Sequence, residues 1–209
     1  MSSNWAEENI QVIRQLMERS AVYRRRMAPM MLAAAVVGTL GGFGADLLKV
    51  ETPRLFAGYW GGVACSILLI SGYIVRSQAI RNRETFWTAP TKRIFVAFLP
   101  SLLMGGAVGI AYMVGPETAI GLSGHVMLIA WCILYGLGLH SAGFFVAKGI
   151  RRMGWVFILV GLFCGYLLIV ANPAFLKVTA NFLMTAIFGG LHMFSGIYLF
   201  YTEQRDDVA

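Results

Sequence analysis

Charge is what this chain has least of. Only 13% of its 209 residues are Asp, Glu, Lys or Arg, where a soluble domain carries about a quarter. The charges it has are clustered, so long runs carry none. Such a composition excludes an ordinary soluble domain. Cysteine is also scarce: Cys65, Cys132 and Cys164 all fall inside apolar runs. An odd number in separate apolar segments reads as small buried packing residues rather than a disulfide or zinc framework. HExxH, CxxC, phosphate-loop and nucleophile-elbow motifs are all missing, which removes the usual enzyme signatures. No cleavable signal pattern precedes the first apolar run, which begins after Arg26.

What is present is hydrophobic. Apolar residues make up 58% of the chain. The runs are continuous rather than alternating, which suits helices and not a β-barrel. The sequence therefore predicts an all-α polytopic membrane protein, one bundle of six transmembrane helices. They fall at about Ala28–Ala45, Ala57–Val75, Ile94–Val114, Val126–Ala147, Trp155–Val170 and Phe182–Tyr201. The net charge of +7 is no nucleic-acid footprint, because the basic residues sit at helix ends. Fourteen of them lie in the leader, the second and fourth loops and the tail, and three in the other loops. That asymmetry predicts both termini in the cytoplasm.

Residues 1–26 have apolar positions at helical spacing (Trp5, Ile10, Ile13, Leu16, Met17, Tyr23) and charges between them. This is the pattern of an amphipathic helix lying on the bilayer. Arg24, Arg25 and Arg26 would anchor it to the anionic cytoplasmic face. The longest loop, Arg76–Arg93, carries Arg81 and Arg83 and faces the same side. Leader and loop together form a candidate surface for a cytoplasmic protein partner. The tail, residues 203–209, is short and acidic.

Gly pairs four apart recur in the helices: Gly38 and Gly42, Gly58 and Gly62, Gly105 and Gly109, Gly161 and Gly165. Such faces allow close helix approach, within one chain or in a homo-oligomer. Pro100 lies well inside the third helix and removes a backbone hydrogen bond. The halves also echo one another. Phe98-Leu99…Gly105-Gly106 resembles Phe182-Leu183…Gly189-Gly190, with Ser101 opposite Thr185, and Ser71-Gly72-Tyr73 resembles Cys164-Gly165-Tyr166. The order fits a 3+3 inverted repeat, a transporter plan with its site at the midplane. Chance matches between apolar segments are the competing explanation.

Ionisable groups within a membrane span are the default site candidates. The predicted spans hold no Asp, Glu, Lys or Arg, but they hold His140 and His192. Two histidines on different helices could ligate a haem or a metal ion. They could form a proton relay, or be neutral rings bonded to Ser141, Ser195 or a tyrosine. Without an intramembrane carboxylate, a proton- or sodium-coupled pump is disfavoured. Pro100, Ser101, Thr185, His192 and His140 thus form the candidate ligand site. No resident metal or cofactor is expected outside the haem alternative. Trp60, Trp87 and Trp155, near segment ends, read as interface anchors.

Met17-Glu18-Arg19-Ser20 before an apolar run, with Gly189-Gly190-Leu191-His192…Gly196 in the last helix, resembles a group of uncharacterised bacterial six-helix inner-membrane proteins. These are often encoded beside a winged-helix regulator. The resemblance implies a bacterial inner membrane and a sensing role. Three expectations follow: a non-enzymatic sensor or accessory module, a small-molecule facilitator with a midplane site, or a haem-binding subunit.

Overall fold

The computed structural model describes residues 27–81, 83, 87–115, 123–146, 148–170 and 172–206. The predicted amphipathic leader, Arg24–Arg26 included, and the last three residues of the tail lie outside them. The described chain is an all-α bundle with six helices long and apolar enough to cross a membrane. In order these are α1 (Met27–Leu47), α2 (Pro53–Arg81), α3 (Ala89–Val114), α4 (Gly124–Ala142), α5 (Lys148–Ile169) and a composite last span, Ala180–Tyr201. A short α6 (Pro173–Lys177) precedes the last span. That span is built from α7 (Ala180–Met184), a π turn (Thr185–Gly189) and α8 (Gly190–Asp206).

Helix starts follow from capping. Thr88 Oγ1 accepts from Thr91 N–H at 3.4 Å ahead of α3. Ser123 Oγ accepts from Val126 N–H at 3.4 Å ahead of α4. Asn172 Oδ1 accepts from Ala174 and Phe175 N–H, and Pro173 follows in the first turn. Each side chain satisfies N–H groups that have no partner within the helix. Asn172-Pro173 therefore ends α5 and also starts α6.

Several boundaries differ from the hydropathy reading. α2 begins four residues before Ala57 and continues six beyond Val75, to Arg81. Arg76 and Arg81 are thus helical rather than loop residues. α3 starts at Ala89, and α5 at Lys148, ahead of the predicted Trp155. α4 stops at Ala142 instead of Ala147. Hydropathy measures the apolar slab. Backbone hydrogen bonding carries a helix past it wherever no Pro or cap intervenes.

The bundle is unevenly packed. In their most apolar windows α1 and α4 are 39% buried, while α2 is 17% and α3 only 6%. α4 and α5 cross closely on glycines. A Cβ on Gly154 would lie 2.5 Å from His140 N and 2.7 Å from Gly136 O. α1 and the last span cross on Gly38 and Gly189, 3.6 Å from such a Cβ to the facing backbone. Trp60, expected as an interface anchor, is instead 2% exposed at the centre of the core. Trp87 and Trp155 are exposed, as anchors require. Cys132 and Cys164 are buried, but Cys65 is exposed on α2, so only two of the three thiols are packing residues of the core.

Candidate functional site: a polar centre

Two polar side chains are buried among the described residues, His192 and Asn181. His192 projects from α8 just after the π turn. Its Nδ1 lies 2.6 Å from the Phe188 carbonyl. A carbonyl only accepts, so Nδ1 carries the proton. The other nitrogen, Nε2, lies 2.6 Å from the Tyr135 hydroxyl of α4. In the neutral ring Nε2 is the acceptor and the tyrosine O–H donates. Both nitrogens are thereby occupied within the chain, and the partner is the tyrosine that the sequence offered as one option. Ser141 and Ser195 are not its partners.

Rings enclose this pair. Tyr135 packs on Phe98 at 5.6 Å, Phe157 at 5.0 Å and Phe188 at 5.5 Å. Phe157 also meets His192 at 5.6 Å. One aromatic cluster thus joins α3, α4, α5 and the last span. π turns often occur at functional positions, and here one sits directly before the buried histidine.

Asn181 forms the second tie. It accepts from Trp60 Nε1–H at 3.0 Å and donates to the Val50 carbonyl at 2.8 Å. The start of the last span is thereby fixed to α2 and to the loop between α1 and α2. Asn181 stands just outside the predicted span Phe182–Tyr201, so hydropathy does not mark it. Its polarity, at the second position of a helix capped by Thr179, is the available signal. Trp131 Nε1–H also donates to the Gly105 carbonyl at 2.9 Å, joining α4 to α3.

The other predicted site residues lie on α3, α4 and the last span. Pro100 is on the exposed side of α3, and the helix continues through it. Ser101 and Thr185 are at helix crossings. A Cβ on Gly138 would meet Ser101 Cβ at 3.0 Å, and one on Gly42 would meet Thr185 Cγ2 at 2.6 Å. Thr185 Oγ1 donates to the Asn181 carbonyl at 2.8 Å. His140 packs edge-on against Phe144 and Trp155, at 5.2 and 5.3 Å, and its Nδ1 is buried without a hydrogen-bond partner. None of its ring neighbours is shared with His192. A haem or metal bound at His192 would have to displace the tyrosine hydroxyl or the Phe188 carbonyl. Among the described residues no group of three or more His, Cys, Asp or Glu is placed to hold a metal ion. His125, at the edge of α4, ties that helix to the α6–α7 connection, with Nε2 2.8 Å from the Val178 carbonyl. Arg81 and Arg83 are exposed, and Arg83 has a left-handed backbone, φ 53°.

No protein-family model, curated protein or solved structure matches the chain.

Proposed function

We propose that the chain is a non-enzymatic sensor or accessory module of the bacterial inner membrane, with both termini and the α2–α3 loop in the cytoplasm. One observation carries this reading. α2 has 29 residues, about 43 Å at 1.5 Å per residue, while a hydrocarbon core is about 30 Å thick. On this reading the excess length carries Arg76, Gln78 and Arg81 beyond the slab on continuous helix, with Arg83 just past its end. The same hairpin, α2 and α3, is the part least buried in the bundle. A basic lever on the most loosely held pair of helices suits a module that docks a cytoplasmic protein and reports on the membrane part. The chemistry of the partner surface is acidic.

Affinity capture from membranes in mild detergent tests this. The wild type is expected to retain a protein that the Arg81→Glu, Arg83→Glu variant loses. An identical set of captured proteins from both overturns it.

A second reading, the facilitator, draws support from the two halves. In the echo between α3 and the last span, Pro100 falls opposite Met184, the residue just before the π turn at Thr185–Gly189. Ser101 meets a glycine of α4 as Thr185 meets a glycine of α1. Backbone irregularity at neighbouring positions of the two echoing segments suits a midplane site between the halves of an inverted repeat. Solute-driven swelling of proteoliposomes tests it. Swelling that the wild type confers and that Pro100→Ala and His192→Ala leave unchanged removes this reading.

A further inference from the structure

The turn from α4 into α5 has features the proposed function does not use. Arg151 and Arg152 stand at the fourth and fifth positions of α5, and Arg152 is exposed. The Arg151 guanidinium lies 5.1 Å over the Phe144 ring. Phe144 in turn packs on the edge of His140, which packs on Trp155. Phe144, Phe145 and Trp155 are 62%, 47% and 51% exposed. The turn is tight: a Cβ on Gly143 would stand 2.7 Å from Arg151 N and Cα. The backbone therefore holds the arginines beside the rings. No Asp or Glu occurs anywhere between Glu117 and Glu203, so neither α4 nor α5 supplies a carboxylate to these cations.

We infer that this turn is a docking surface for the headgroup of an anionic phospholipid. The arginines take the phosphate, and the exposed rings lie along the first part of the acyl chains. The argument is one of charge and depth. Cations at the end of a membrane helix attract anionic headgroups. Exposed aromatic residues belong at the level where headgroup meets hydrocarbon. Guanidinium groups match phosphate oxygens in a two-pronged geometry that an ammonium does not offer. The ring beneath Arg151 holds its side chain in place before the lipid arrives.

Native mass spectrometry of the full chain tests this, with phosphatidylglycerol, diphosphatidylglycerol or phosphatidylethanolamine added to the detergent. The wild type is expected to retain the two anionic lipids and to release phosphatidylethanolamine. Arg151→Gln with Arg152→Gln is expected to weaken retention by about tenfold or more, given the attraction of each basic residue to an anionic surface. Lys92→Gln with Arg93→Gln, at another helix end, should stay within about twofold of the wild type. Equal retention by the Arg151/Arg152 variant overturns the inference, as does equal retention of phosphatidylethanolamine. Displacement of the lipid by millimolar inorganic phosphate would assign the surface to free anions and overturn it also. Should the double variant fail to fold, a photoreactive phosphatidylglycerol on the wild type decides. Labelling within residues 143–155 supports the site, and labelling confined to other segments refutes it.

Discussion

Replacing Gly154 by Ala adds one methyl group where two helices touch backbone to backbone. The new Cβ would lie 2.5 Å from His140 N, 2.7 Å from Gly136 O and 2.9 Å from His140 Cα. Ordinary contacts begin at 3.4 Å, so the closest falls short by about 0.9 Å. All three neighbours are main-chain atoms, and no rotamer change relieves them. α4 and α5 must separate, and the separation loosens the packing around Cys132, Phe157 and Ile158, all buried there. Overpacking of this kind costs about 1–3 kcal/mol, and the backbone origin of the clash puts it at the upper end. Ala gains about 1 kcal/mol over Gly in a helix interior. The expected net loss is about 2 kcal/mol, which lowers the melting temperature by about 4–8 °C in a chain of this size. Thermal unfolding in detergent, followed by size-exclusion chromatography, measures it. Gly190→Ala is the companion, because its Cβ would meet nothing within 4 Å, and its melting temperature should hold or rise. If Gly154→Ala melts with the wild type, or if both variants fall equally, the close crossing of α4 and α5 is wrong.

Three further outcomes follow from the polar centre and the thiols. Tyr135→Phe removes the donor to His192 Nε2 and should destabilise the protein by about 0.6–1.7 kcal/mol, the range for hydrogen bonds between membrane helices, measured by the same unfolding assay. Asn181→Leu leaves both the Trp60 indole N–H and the Val50 carbonyl without a partner. Its cost should exceed that of Tyr135→Phe, reaching about 2–4 kcal/mol for two stranded buried groups, and the Trp60 fluorescence should shift as well. A lipid-permeant maleimide applied in detergent should modify Cys65 first, with Cys132 and Cys164 reacting only after unfolding, as peptide mapping would show.

The number, order and approximate place of the six spans were legible in the sequence, because a bilayer-thick apolar run has few other interpretations. Their ends were not. Arg76-Ser77-Gln78 reads as loop by hydropathy, yet nothing there breaks a helix, and α2 continues to Arg81. Gly189 and Gly190 look alike in sequence, yet a Cβ on Gly189 would meet Thr39 while one on Gly190 would meet nothing within 4 Å. The importance of His192 was visible from its position alone, since it is one of two histidines in otherwise charge-free spans. Its partner could not be chosen, because which tyrosine lies across from it depends on how α4 rotates against α8. Trp60 was misjudged for a related reason. A tryptophan near a span end suits an interface anchor, and only the distant Asn181 makes it a core residue.

The bond from Asn181 to the Val50 carbonyl spans 131 residues, and the one from Trp60 spans 121. During synthesis the first helical pair therefore enters the membrane with an indole N–H and a carbonyl that have no protein partner. Translation at 5–20 residues per second leaves them so for on the order of ten seconds. Only arrival of the last span supplies the amide that satisfies both. A chain stopped before Asn181 would hold four or five inserted helices and still lack this closure. Such nascent products should be the ones that membrane quality-control proteases remove first.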